Sequence, residues 1–122
     1  YEYVEFYGFC NDIPSVMHDI DCLVLPSIIP ETFGLVLGEA MLEGKPVITT
    51  GTGAQGEIVE DGISGFTVPP FTPPAIADKL TILAKSKELR DSCGICGRQR
   101  IIESFTHEKM IKNIEDFFGG IL

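Results

Sequence analysis

Two carboxylates, Glu31 and Glu39, bracket seven residues in the run Glu31-Thr32-Phe33-Gly34-Leu35-Val36-Leu37-Gly38-Glu39. The first follows an apolar stretch, Cys22-Leu23-Val24-Leu25-Pro26, across a loop bounded by Pro26 and Pro30; the second sits inside the helix that the loop feeds. A helix start of this kind suits an anion, because its first turn leaves backbone N–H groups unpaired and carries the positive end of the helix dipole. Gly34 has no Cβ, so a ligand can come close to that backbone, while the prolines hold the loop extended. Glu39 needs its own account. At about 100° per residue it falls in the arc of Phe33, Leu35, Val36, Leu37, Ala40 and Met41. A carboxylate there calls for a partner or a ligand; the other reading is a solvated helix acid, which fits Glu43 one turn on.

The elements that position these residues follow from local signals. Aromatic and β-branched residues predict a strand over Tyr3–Tyr7, ended by Gly8. Further strands are predicted over Cys22–Pro26, Val47–Thr50 and Gly65–Val68. Asp12 can cap a short helix over 14–20, with Pro14 in its first turn, and the signature helix is placed at 33–43 with Gly44 as its C′ residue. The run Gly51-Thr52-Gly53-Ala54 turns into a short helix over 56–61; read alone it is a tight turn, matching neither established glycine-rich phosphate motif. After the stiff connector Pro69-Pro70-Phe71-Thr72-Pro73-Pro74, helices are predicted over 73–85, 87–104 and 107–118, capped by Thr72, Ser86 and Thr106. Ile76, Leu80 and Leu83, and again Met110, Ile114 and Phe117, recur at i, i+4 and i+7 as core stripes. Arg98 and Arg100 read as a solvated helix face rather than a phosphate grip. The alternation of strand and helix predicts an α/β fold, a Rossmann-like parallel sheet with flanking helices followed by C-terminal helices. In such sheets ligands sit at the carboxyl ends of strands, where residues 26–35 fall.

Composition narrows the function. The chain has 122 residues, of which 44% are hydrophobic, enough for one core and one domain. A formal charge of −9 with no Lys/Arg cluster argues against a nucleic-acid partner. No stretch approaches the ~20 apolar residues of a membrane span and no signal peptide is apparent, so the expected location is cytoplasmic. Cys10, Cys22, Cys93 and Cys96 are too few and too irregular for a disulfide framework. Cys93-Gly94-Ile95-Cys96 has no second half, and His18 and His107 lie at no ligand spacing, so no metal is expected and the pair reads as free helix thiols.

The Glu31 to Glu39 run resembles the E-x7-E signature of retaining GT-B glycosyltransferases, in particular glycosyltransferase family 4. Val4-Glu5-Phe6-Tyr7-Gly8, Gly44-Lys45-Pro46-Val47-Ile48-Thr49-Thr50, Gly53-Ala54, Glu57-Ile58-Val59-Glu60-Asp61-Gly62 and Gly65-Phe66-Thr67-Val68 follow in that family's order and spacing. The resemblance covers roughly residues 3–118.

It implies transfer of a hexosyl or N-acetylhexosaminyl group from a nucleotide sugar to an acceptor hydroxyl with retention, with no cofactor and no essential metal. By resemblance, Glu31 takes sugar hydroxyls. The backbone of Thr32, Phe33, Gly34 and Leu35 holds sugar and diphosphate, and Glu39 binds the ribose. Phe9 and Cys10 fall in the loop that faces the nucleobase, and Ser27, Pro30 and Gly53 in the pocket wall, with Thr52 and Ala54 beside the donor pocket. The resemblance also implies a GT-B C-terminal domain lacking its first two strand–helix units, hence part of a larger two-domain enzyme. A UDP-sugar is the favoured donor, with a GDP-sugar as the alternative. The acceptor, a glycan or lipid-linked oligosaccharide of a surface-polysaccharide or lipopolysaccharide pathway, would be bound by an N-terminal domain. The whole enzyme would lie in the cytoplasm or at the inner face of the membrane. In the order 3-2-1-4-5-6 the Tyr3–Tyr7 strand would be the third, leaving a free sheet edge for self-association. A non-catalytic nucleotide-sugar-binding module is the other function these residues allow.

Overall fold

In the computed structural model of the chain, which describes residues 2–121, three short parallel strands form the sheet. They are β1 (Leu23–Leu25), β2 (Val47–Thr49) and β3 (Gly65–Thr67), in the order β1-β2-β3. Leu23 pairs with Val47 and Leu25 with Thr49, while Val47 pairs with Gly65 and Thr49 with Thr67. All three residues of β2 are buried, as a central strand covered on both faces requires.

Side chains alternate across this sheet. Leu23, Leu25 and Val47 join a cluster with Met17, Leu37, Ala40, Met41, Ile58 and Ile101. Val24, Ile48 and Phe66 face the opposite cluster, with Leu83, Ile76 and Leu89. The first cluster draws on α1 (Ile13–Asp19), α2 (Leu35–Leu42), α3 (Gln55–Ile58) and α5 (Lys87–Ser104); the second draws on α4 (Pro73–Lys85) and the start of α5. Within α4, Leu83 is buried and Ile76 half-buried, but Leu80 remains exposed.

The helix starts follow the sequence. Asp12, Ser86 and Thr106 accept from the N–H groups of Ser15, Leu89 and Lys109, and α6 (His107–Gly119) follows the last of these caps. Thr72 occupies the N-cap of α4 with Pro73 behind it, but its hydroxyl donates back to Pro70 O at 3.2 Å instead of capping the helix. Gly44 ends α2 at φ +69° and donates to Met41 O.

α5 holds the helices together. The chain's three arginines all lie on it, and each caps the carboxyl end of a different helix. Arg90 donates to Leu83 O (2.6 Å) and Ala84 O on α4, and Arg98 donates to Leu42 O on α2. Arg100 donates to Ile58 O and Glu57 O on α3, both at 2.7 Å. Arg98 does lie on an exposed face, as expected, while Arg100 is half-buried; the free carbonyls of helix ends, invisible in sequence, recruit both. Between these caps α5 crosses α2 so closely that a Cβ on Gly94 would run into the Gly44 carbonyl.

Two further expectations change. Residues 3–7 form no strand, and Tyr3 and Phe6 stand 91% and 84% exposed. A strand needs a neighbour to pair with, and the sheet offers this segment none. Met110, Ile114 and Phe117 are also no core stripe, since α6 has no buried residue and all three side chains are exposed. The amphipathic period is real, but nothing among the described residues covers the face. β1, expected over Cys22–Pro26, and α2, expected over 33–43, come out shorter.

Gly94→Ala is expected to lower stability by about 1–3 kcal/mol, read as a lower urea midpoint at unchanged slope. A midpoint equal to the parent's would show that the α2–α5 crossing does not rest on this contact.

Candidate functional site

Beyond Leu25, β1 runs into the loop of residues 26–34; beyond Thr49, β2 runs into the loop of residues 50–54. Both leave the carboxyl end of the sheet, where the exposed strand ends and helix starts of a parallel sheet converge. The two loops meet at a parallel bridge between Glu31 and Gly53, and Ala54 N–H donates to Glu31 O at 3.1 Å. The approach needs glycine. Gly53 has φ +64°, and a Cβ there would overlap the Glu31 backbone.

Glu31 is half-buried, and Ser27 Oγ donates to its Oε1 at 2.8 Å. Glu39 lies one turn beyond Leu35 on an exposed face of α2, and its carboxylate makes no hydrogen bond or ion pair among the described residues. The apolar arc drawn for it is thereby corrected, because Leu35 itself is 72% exposed and that side of α2 faces outward. A carboxylate there is solvated and open to a ligand.

Gly34 is the N-cap of α2 in the left-handed conformation, φ +78°. A Cβ on it would sit 3.3 Å from Leu37 Cδ1 and 3.5 Å from Leu25 Cδ2. The reason for glycine is therefore first its own backbone and packing, rather than room for a ligand alone. Leu37 N–H makes the first bond of the turn, to Gly34 O at 2.9 Å, which leaves the N–H groups of Leu35 and Val36 without an intrahelical acceptor. Phe33 turns inward and packs edge-on against Phe105, with ring centroids 5.7 Å apart, so only its backbone faces the loop. Thr32 and Pro30 are exposed.

The structure thus gathers Ser27, Pro30, Glu31, Thr32, Phe33, Gly34, Leu35 and Gly53 at one end of the sheet, with Glu39 one turn further along α2. Phe9 and Cys10 precede α1, Phe9 at 91% exposure and Cys10 half-buried. Thr50 was not among the expected site residues; the hydroxyls of Thr50 and Thr52 donate to Ser27 O (2.5 Å) and Ile29 O (3.1 Å). For Thr50, its place before a glycine-rich turn was the only sequence signal.

One other feature borders this end. An apolar groove of about 750 Å³ runs between Phe33, Leu35, Phe105, Met110, Ile114 and Phe117. Its walls carry few polar groups, so it does not suit a diphosphate. Elsewhere the Cys22 thiol is pushed up to about 11 by burial, then by Cys93 and Asp21, and burial raises Cys93 as well. Both are protonated thiols at neutral pH.

The family model of glycosyl transferases group 1 matches residues 2–100. The chain belongs to this family. It is 31% identical over 119 residues to the N-acetyl-alpha-D-glucosaminyl L-malate synthase of Bacillus anthracis, covering 98% of this chain and 31% of that protein. Among solved structures it resembles Anabaena HepE in complex with UDP and glucose, with TM-score 0.87 and 28% identity over 95% of this chain and 32% of that one. It also resembles the C-terminal domain of the group 1 glycosyl transferase LpcC of Francisella tularensis, with TM-score 0.74 and 34% identity over 85% and 53% of the two chains. The Rossmann-like sheet is that of a GT-B C-terminal part, and the chain spans about a third of the length of the curated relative it matches. The relatives are glycosyltransferases.

Gly53→Ala is expected to pull the two loops apart, since a left-handed backbone costs a side chain about 1–2 kcal/mol before any overlap with Glu31. The Ala54 amide should then exchange with solvent at least ~10-fold faster than in the parent. Unchanged exchange would mean that the loops close without glycine.

Proposed function

We propose that this chain is the donor-binding part of a retaining, metal-independent hexosyltransferase, and that the nucleotide sugar binds where the loop after β1 and the start of α2 are closed off by the loop after β2. The observation that carries this reading is Glu31, fixed at the carboxyl end of β1 by Ser27 and the Gly53 loop, directly before the unpaired N–H groups of α2. Family membership supports it, and HepE, in complex with UDP and glucose, supports a UDP-sugar over a GDP-sugar.

In this reading Glu31 accepts from sugar hydroxyls through the carboxylate oxygen that Ser27 leaves free. Glu39 accepts from the ribose, and Phe9 and Cys10 approach the base. The backbone of Thr32 to Leu35 faces the sugar and diphosphate. As the glycosidic bond breaks, its electron pair passes to the departing nucleoside diphosphate, whose negative charge grows. Backbone donors and the dipole at the start of α2 stabilise that charge more in the transition state than in the ground state. This is work that a metal ion performs in other transferases, and here the helix start performs it.

The acceptor is a glycan or lipid-linked oligosaccharide, held by a further domain of a longer polypeptide at the cytoplasmic side of the membrane, in a surface-polysaccharide or lipopolysaccharide pathway. The free edge of β1 pairs with that further part or with a second copy.

In the full natural polypeptide, Glu31→Ala and Glu39→Ala should each lower kcat/KM for sugar transfer by ~10- to 100-fold, since a hydrogen bond to a charged group contributes about 1.5–3 kcal/mol. Near-parental activity in either variant would remove that residue from the mechanism. Nucleotide-sugar binding without any transfer in the parent would instead make the protein a binding module.

A further inference from the structure

The backbone ladder between β1 and β2 ends at Leu25 and Thr49, yet the two chains do not part there. Thr50 Oγ1 donates to Ser27 O at 2.5 Å, Thr52 Oγ1 donates to Ile29 O at 3.1 Å, and Ala54 N–H donates to Glu31 O at 3.1 Å. Acceptors at 27, 29 and 31 thus face donors at 50, 52 and 54. That is the period of two that a strand pair would show, with hydroxyls standing where backbone N–H groups stood. Threonine suits the task, because its branched Cβ restricts χ1 and so fixes where the hydroxyl points. From below, Gln55 Oε1 accepts from Thr49 Oγ1, which ties the far end of the loop to the buried strand. The extension ends at Glu31, whose backbone is gripped by Gly53 and Ala54 and whose Oε1 is held by Ser27. Its Oε2 has no partner among the described residues and is the atom left to accept from a ligand.

We infer that Ser27, Thr50 and Thr52 are positioning residues, which set the Glu31 carboxylate and thereby govern recognition of the sugar, not the nucleotide, of the donor. The inference rests on the donor-binding reading above. It assigns these hydroxyls a role distinct from a pocket wall: none of them needs to touch the substrate. A loosened extension leaves the α2 start, and with it the diphosphate site, in place, while Glu31 loses its orientation.

The test is calorimetric titration of the full natural polypeptide with two probe pairs, UDP with UDP-glucose and GDP with GDP-mannose, using for the variants whichever pair the parent binds. Ser27→Ala and Thr52→Val should each weaken nucleotide-sugar binding about 5- to 10-fold while leaving nucleotide diphosphate binding within twofold. In a Glu31→Ala background the Ser27→Ala change should have no further effect, because its partner is gone. Equal loss for sugar-bearing and sugar-free ligands, no loss for either, or a Ser27→Ala effect that persists undiminished without Glu31 would each overturn the inference while leaving the donor site standing. A parent that binds neither pair would overturn the donor reading itself, and this inference with it.

Discussion

The close approach of Gly53 to Glu31 is the contact on which the site depends. A parallel pair of strands normally separates once its ladder stops, because each chain must turn into its own helix. Here the loops after β1 and β2 stay together for several more residues, and the point of nearest contact has no room for a side chain. Because the two loops meet, Glu31 is fixed from the backbone side, and its carboxylate is free to be set by Ser27. Because α2 starts immediately afterwards, unpaired N–H groups lie beside that carboxylate. One face thus offers an acceptor for hydroxyls and donors for an anion. A nucleoside diphosphate sugar presents this combination of groups.

The scaffold ties down the carboxyl ends of three helices. Three arginines on α5 reach carbonyls at the ends of α2, α3 and α4, and Gly94 lets α5 lie against the close of α2. Helix carboxyl ends expose unpaired carbonyls, and a guanidinium satisfies two of them at once. The amino end of α2 is left unsatisfied, as an anion site demands. The charge of the chain runs the same way: bases are few, and the arginines serve the fold.

Much of this was legible where chemistry is local. Asp12, Ser86 and Thr106 cap helices through bonds that span three residues, and Gly44 closes α2 at a positive φ, so sequence alone located those ends. The α4 and α5 bounds matched for the same reason, with prolines and a serine marking their starts. The Glu31 loop was legible through its residue pattern and the family it resembles. What sequence could not give was anything decided by a distant partner. Residues 3–7 have strand composition but no strand to pair with. Met110, Ile114 and Phe117 have core periodicity but nothing that covers them, and Arg98 and Arg100 found carbonyls more than forty positions away. Glu39 was drawn into an apolar arc by helical geometry, but which arc faces the core is set by the sheet. Thr50 and Thr52 act through backbone oxygens of another loop, a pairing no local pattern announces.

The claim that the donor sits across the two loops is tested most directly by amide chemical-shift mapping of the isotope-labelled natural polypeptide during titration with UDP. The account predicts that the largest shifts fall on residues 32–36, at the start of α2, with smaller ones on 51–54 and none along α6. Shifts confined to the apolar groove of Phe105, Met110, Ile114 and Phe117, with the start of α2 unmoved, would contradict it.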